Sequence, residues 1–351
     1  MVRLPTHTAY PFSKTYSEII DVRSEKEFAE DCIPGAINLP VLNHEERAKV
    51  GTIYKQVSPF EARKLGAALV AKNMVDRLTH HFANKDKKYS PLIYCWRGGQ
   101  RSNSLAMVLT QIGWQVTVLE GGYKTYRAYI RQQLETLPLQ FNYKILCGLT
   151  GSGKTHILHQ LARRGEQILD LEKIANHRGS LLGQTWENDS IAQPSQKQFE
   201  SRLVEQLQQL NTERTVWVES ESNKIGEVYL PTSLWKQMKQ ASCIEIQLPI
   251  AARVKWLLQK YSYLTHHSEI VKNKLLALKV RYGREKIAQW HRLIDEEKGD
   301  IFVEDLLKSH YDLAYRRSLE KTYQKIERVL SVADLSEQSL ETVLNFLCEN
   351  I

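Results

Sequence analysis

Short apolar runs bounded by glycine and proline alternate along this chain with longer stretches of helical spacing. "YSEIIDVR" reads as a strand, "SEKEFAED" as a short helix capped by Ser24, and "CIPGAINLP" as a turn and strand. "PLIYC" is a further apolar strand, and "WQVTVLEGG" another that leaves through glycines. Between them "SPFEARKLGAALVAKNMVDRLTHHFA" spaces its apolar residues three and four apart. Ser58 stands as its cap and Pro59 at the first helical position, which predicts one long helix. Strands alternating with helices imply a parallel sheet.

"YKTYRAYIRQQLETLPLQFN" predicts a helix and a short linker, and divides the chain into domains at 1–135 and 136–351. The second domain opens at "YKILCGLTGSGKT". Its strands are read at "EQILDLE", "RTVWVESES" and "SCIEIQLP", with helices between them such as "PSQKQFESRLVEQLQQL". From "AARVKWLLQKY" onward nearly everything reads as helix. The expected class is α/β: a parallel-sheet domain, then a P-loop NTPase-like α/β domain whose C-terminal part is mostly helical.

Composition narrows this little. A chain of 351 residues that is 42% hydrophobic and 25% charged can build two cores. No apolar run approaches the roughly 18 residues of a membrane span, and the N-terminus lacks an apolar signal core, so a soluble cytoplasmic protein with no membrane role is expected. The five cysteines (Cys32, Cys95, Cys147, Cys243, Cys348) are scattered without a CxxC pair, which suits neither a disulfide framework nor a zinc site. Cys147, Cys243 and Cys348 read as small buried hydrophobes. His80–His81 and His266–His267 are adjacent and point apart, and His156 and His159 lack a third ligand, so no structural metal is expected. The net charge of +8 is compatible with a polyanionic partner.

"GLTGSGKT" fits G-x-x-x-x-G-K-[ST] without mismatch, after a strand and before a helix. Gly148, Gly151, Ser152 and Gly153 let the backbone curl so that N–H groups face phosphate oxygens. Lys154 supplies the point charge, and the Thr155 hydroxyl is placed for Mg²⁺, whose requirement the sequence leaves open. "VWVESES" ends an apolar strand on Glu219, where such loops usually have Asp as a second acid. Asp170 and Glu172, after the preceding strand, compete for that role, and Glu221 lies two residues on. The motif grips a diphosphate-bearing ligand without requiring ATP hydrolysis.

"YCWRGGQRS" sets Cys95 at the mouth of a loop rich in N–H donors, between Arg97 and Arg101. Surroundings of this kind favour the thiolate, the nucleophilic form, and the same amides can hold an oxyanion. Trp96 reads equally as a stacking platform for a base or as core packing. "IDVRSEKEFAEDCIPGAINLP", "YCWRGGQRS" and "LEGGYKTYR" together resemble the rhodanese domain over residues 10–130 or so. That resemblance implies a sulfurtransferase-type fold in which Cys95 carries a chalcogen. Asp21 and Arg23 match the start of the family pattern. Cys32 stands where the family usually has His, which sets a catalytic task for it in doubt. The C-x5-R spacing from Cys95 to Arg101 is one residue longer than in common single-domain rhodaneses and is similar to phosphatase loops that hold a tetrahedral phosphate.

The combination resembles the tRNA 2-selenouridine synthase family, through "EERAKVGTIYKQVSPFEARKLG", "YCWRGGQRS", "GLTGSGKT", "LEKIANHRGSLLG", "VWVESESNKIG" and "HYDLAYRRSL". The resemblance implies that the wobble 2-thiouridine of certain tRNAs is S-geranylated from geranyl diphosphate. Selenophosphate then displaces the geranylated sulfur. On that reading the P-loop holds the diphosphate and the Cys95 loop the selenophosphate, both as substrates, with no tightly bound cofactor. Asn176, His177, Arg178 and Ser180 are all polar in a loop near the phosphate site, and His177 and Arg178 are expected to contact the diphosphate or the tRNA. Arg281 and Arg284, with His310, Arg316 and Arg317, read either as a tRNA-facing helical surface or as a solvated face. The competing readings are a P-loop kinase or ATPase with a regulatory rhodanese module, a C-x5-R phosphatase, and a non-catalytic tRNA-binding adaptor.

Overall fold

The structure is a computed structural model that describes residues 3–179, 192–260, 267–323 and 325–349. The chain forms two compact units, residues 1–133 and 134–351.

In the first unit five parallel strands stand in the order β1-β5-β4-β2-β3: β1 (Thr6–Thr8), β2 (Glu18–Asp21), β3 (Ala36–Asn38), β4 (Pro91–Tyr94) and β5 (Thr117–Leu119). All four residues of β4 are buried, as befits a central strand covered on both faces. The helices are α1 (Glu25–Glu30), α2 (His44–Gln56), α3 (Pro59–His80), α4 (Gln100–Ile112) and α5 (Tyr123–Thr136). Ser58 caps α3 as the sequence predicts, its Oγ accepting from Phe60 N–H at 3.2 Å. α4 stops at Gly113, whose φ of 119° only glycine adopts readily. Ile20, Ile93, Val118, Leu105 and Leu109 form the centre of the core. Strand β1 was not anticipated. Its three threonine-rich residues carry no apolar run, and it is defined only by pairing with β5 across more than a hundred residues.

The second unit repeats the logic with the order β12-β11-β6-β8-β7, again parallel. The strands are β6 (Tyr143–Cys147), β7 (Gln167–Leu169), β8 (Val216–Glu219), β11 (Ser242–Gln247) and β12 (Ile326–Ser331), with a two-residue hairpin of β9 (Lys224–Ile225) and β10 (Val228–Tyr229). α6 (Lys154–Arg163) follows the P-loop, and α7 (Leu171–Ala175), α8 (Gln196–Gln208), α9 (Thr232–Gln240) and α10 (Ile250–Lys260) follow in turn. Helix Glu337–Glu349 closes the unit, setting Leu340, Val343, Leu344 and Leu347 against Ile157, Leu158 and Leu161 of α6. A separate apolar cluster, centred on Trp290, Leu275, Phe302 and Leu307, holds the helical part together. Strand β12 departs from the all-helical expectation. It is an exposed edge strand of mixed polarity, so its assignment depends on β11 rather than on its own pattern. Among the described residues no helix is long and apolar enough to cross a membrane.

Candidate active sites

Cys95 follows β4 directly and lies at the carboxyl edge of the first sheet, where open α/β sheets place their ligands. Its Sγ receives the Gly99 N–H at 3.2 Å and stands 3.2 Å from the Ser102 hydroxyl, which donates to Gly99 O at 3.1 Å. A second loop fixes this one from behind. Tyr123 N–H donates to Cys95 O at 2.8 Å and Lys124 N–H to Trp96 O at 3.0 Å. A Cβ on Gly122 (φ 59°) would lie 2.2 Å from Cys95 O, and one on Gly98 (φ 62°) 2.6 Å from Leu119 O, so both positions require glycine.

Of the two loop arginines, Arg97 is exposed at the tip. Arg101 is engaged by Glu27, donating to Oε2 at 2.8 Å and to Oε1 at 3.3 Å. Arg47 adds a charge 3.8 Å from the same carboxylate. Burial alone would raise Glu27, but the hydrogen bonds and charge of Arg101 outweigh it and hold the carboxyl at about 2. Glu27 also accepts from the Ser24 N–H at 3.1 Å, so the start of α1 and the start of α4 share one carboxylate. Trp96 is half-buried and packs on Tyr123, ring centroids 5.3 Å apart. Asp21 and Arg23 form a buried pair beneath the site, with Arg23 Nη2 donating at 2.6 Å both to Asp21 Oδ2 and to Asp31 O. Cys32 is only partly buried.

The P-loop lies at the carboxyl end of β6. Gly148, Gly151 and Gly153 all have positive φ, and the Ser152 side-chain oxygen is buried without a partner among the described residues. Lys154 Nζ donates to Gly148 O at 2.8 Å, and Thr155 Oγ1 to Glu172 Oε2 at 3.3 Å. Glu172, Glu219 and Glu221 converge so that one carboxylate oxygen from each lies within 4.8 Å of the others. Burial raises all three. Glu172 is pushed further by Glu219 and Glu221, and Glu219 is raised despite the charge of Lys154. Burial and the Glu219 charge push Glu221 to about 8. Glu219 Oε1 is buried without a partner among the described residues. Asp170, another acid the sequence offered, is not a member of this cluster, though its charge helps raise all three glutamates. It caps α7, accepting from Lys173 N–H at 2.8 Å, and pairs with His159 at 2.5 Å.

These groups line one cavity of about 520 Å³. Thr150, Lys154, Thr155 and the three glutamates form its polar floor, and Arg178 and Gly179 its rim. Trp256, Leu257, Tyr311, Ala314, Leu319 and Tyr323 form an apolar and aromatic wall. Tyr315 joins the two, since its hydroxyl accepts from the Gly148 N–H at 3.0 Å and meets Ser220 Oγ at 2.5 Å. Arg253 ties the wall to the loop, bonding Thr150 O at 3.0 Å and both oxygens of Asp312 at 2.8 and 2.7 Å.

The remaining sequence candidates are dispersed. His177 Nδ1 accepts from Gly179 N–H at 3.0 Å. Arg281, Arg284, Arg316 and Arg317 are exposed, and His310 meets Tyr282 Oη at 3.1 Å. Ser180 and His266 lie outside the described residues. Sequence reasoning passed over Glu27, Ser102, Arg253 and Tyr315. Glu27 carried a signal, standing three residues after the cap Ser24 in the S-x-x-E pattern. Tyr315 carried none, being 167 residues from the glycine it contacts.

Comparison with known proteins bears on both units. Residues 141–345 match the family model described as the tRNA 2-selenouridine synthase AAA domain, and residues 11–129 that of the rhodanese-like domain. A protein of Nitrosomonas europaea named tRNA 2-selenouridine synthase is 36% identical over 251 residues, 70% of this chain and 64% of that protein. One of the same name from Bdellovibrio bacteriovorus is 30% identical over 345 residues, covering 87% and 89% of the two chains. Another, from Salmonella arizonae, is 34% identical over 333 residues, covering 86% and 90%.

Proposed function

This chain belongs to the tRNA 2-selenouridine synthase family, and we propose that its two loops serve two successive half-reactions on one tRNA base, geranylation at the P-loop and selenation at Cys95. The observation that carries the reading is the mixed lining of one cavity: P-loop residues with Lys154, together with the apolar and aromatic side chains of Trp256, Leu257, Tyr311, Leu319 and Tyr323. A prenyl diphosphate has both characters, with two phosphates to be met by amides and Lys154 and an apolar chain to be taken out of water.

In the first half-reaction the sulfur of 2-thiouridine attacks C1 of geranyl diphosphate. The C–S bond forms, the C–O bond breaks, and diphosphate leaves into the cradle of loop amides and Lys154. The donor set of Thr155 with Glu172, Glu219 (whose Oε1 is orphaned) and Glu221 fits Mg²⁺. A bound Mg²⁺ would supply charge neutralisation to the leaving diphosphate. Glu172, Glu219 and Glu221, all raised by burial, would hold it in the ionised form, so that binding would be coupled to pH.

In the second half-reaction selenium of selenophosphate attacks C2 of the geranylated base. The C–Se bond forms and geranylthiol leaves. The thiolate of Cys95 then attacks phosphorus, breaking the P–Se bond, and water hydrolyses the resulting phosphocysteine to phosphate. Loop amides hold the phosphate oxygens, and Gly99 N–H and Ser102 orient Sγ. The test supplies tRNA bearing 2-thiouridine with geranyl diphosphate alone, then with selenophosphate, and reads nucleosides by mass spectrometry. The S-geranyl nucleoside is expected first and 2-selenouridine second. Geranyl transfer unaffected by Lys154→Ala would overturn the assignment of the P-loop.

A further inference from the structure

Helix α2 and its corner with α3 carry the segment "ERAKVGTIYKQVSPF", which neither half-reaction uses. One side of α2 faces the core: Val50 packs there and stands 3.5 Å from where a Cβ on Gly66 of α3 would lie. At 100° per residue, His44, Arg47, Gly51, Tyr54 and Lys55 fall together on an adjacent side. Glu45 points away from that side. Glu46 is drawn toward α3, its Oε2 accepting from Asn73 Nδ2 at 2.7 Å. The strip itself therefore contributes no carboxylate, and the acid that meets it is Glu27, beside Arg47. The strip is also open, since a Cβ on Gly51 would meet nothing within 4 Å.

At one end the strip joins the catalytic loop, because Arg47 lies 3.8 Å from the Glu27 carboxylate that holds Arg101. Tyr54 stands two turns further on, about 10 Å along the axis. Beyond it Val57 and Phe60 close the corner. Tyr54, Val57 and Phe60 are 56%, 73% and 64% exposed, far more than large apolar side chains in a packed unit ordinarily are. Lys64 lies 5.8 Å over the Phe60 ring.

We propose that this strip is where the anticodon arm of the tRNA docks on the first unit. Its phosphates run along Arg47 and Lys55, and an unpaired loop base stacks on Tyr54. The inference rests on the tRNA reading above. A polyanion with splayed bases is the partner that matches cations set beside open aromatic rings, and continuity with the Cys95 loop gives the docked strand a direction.

The test uses the full chain. Tyr54→Ala combined with Lys55→Ala is expected to weaken tRNA binding by roughly ten-fold or more, and Lys55→Ala alone to lower the salt slope of binding by about 1. Tyr54→Trp, which keeps a stacking face, is expected to bind as wild type. Thermal midpoint and alkylation of Cys95 by iodoacetamide are expected to stay unchanged in all three. A photo-crosslinking phenylalanine analogue at position 54 is expected to join nucleotides of the anticodon loop. Wild-type affinity and salt slope in the double variant would overturn the proposal, as would crosslinks to a second copy of the chain in place of tRNA. Wild-type protein that fails to bind tRNA at all would overturn the tRNA reading itself.

Discussion

The two loops are built alike and charged in opposite ways. Each leaves the carboxyl end of a buried parallel strand and enters a helix, after one positive-φ glycine (Gly98) in the first loop and three (Gly148, Gly151, Gly153) in the second. Around Cys95 the charges are matched: Glu27 is held at about 2 by Arg101, and Asp21 pairs with Arg23. Around the P-loop they are mismatched, with three carboxyls crowded beside one lysine and all three raised. The first loop is organised before any ligand arrives. In the second, burial and neighbouring carboxylates raise all three carboxyls. A nucleophile needs a fixed, ionised frame, whereas a diphosphate site needs a place for the cation that travels with its ligand.

The largest effect is expected at the nucleophile. Cys95→Ser is expected to drop 2-selenouridine below detection while the geranyl group is still lost and the Se-phosphorylated nucleoside accumulates, as read by nucleoside mass spectrometry. Lys154→Ala follows, with geranyl transfer expected to fall on the order of 10²–10³-fold in single-turnover assays. These two variants would erase the comparison if each lost both half-reactions.

Charge matching makes its own prediction. The folded pKa of Glu27 is depressed from 4.5 to about 2, so its stabilisation is present above pH 4.5 and lost as pH falls through about 2. At one pK unit per roughly 1.4 kcal/mol this amounts to about 3 kcal/mol. Glu27→Gln is expected to lose that much in denaturant titrations at pH 7 and to flatten the acid limb. The P-loop predicts the reverse sign. Glu221 is raised to about 8, so its contribution is present below 4.5 and lost as pH rises through about 8. Mg²⁺ affinity, measured by calorimetry, is expected to climb with pH up to about 8 and then level, and Glu221→Gln is expected to remove most of that slope. The smallest effect is expected from Ser102→Ala, roughly ten-fold in selenation with geranyl transfer unchanged.

What the sequence made legible was local. β2, β4, α3, α6 and both loops announce themselves through apolar runs, caps and glycines within a few residues of one another. The edge strands β1 and β12 do not, because each has meaning only against a distant partner. The sites divide in the same way. Cys95, Lys154 and Thr155 sit inside motifs that the chemistry requires. The apolar wall was hidden among helices read only as helices, since Trp256, Tyr311, Tyr315 and Tyr323 reach the P-loop by tertiary packing alone. Asp170 and Glu219 looked equivalent as strand-end acids. Only the structure separates the helix cap from the cluster member.

The central claim, that the two loops perform separable half-reactions, is tested most directly by bypass. Lys154→Ala protein is given tRNA that already carries the S-geranyl nucleoside, together with selenophosphate, and 2-selenouridine is quantified by mass spectrometry. The account predicts selenation at the wild-type rate, but selenation lowered on the order of 10²–10³-fold when 2-thiouridine tRNA, geranyl diphosphate and selenophosphate are supplied instead. Failure to selenate the pre-geranylated tRNA would contradict it.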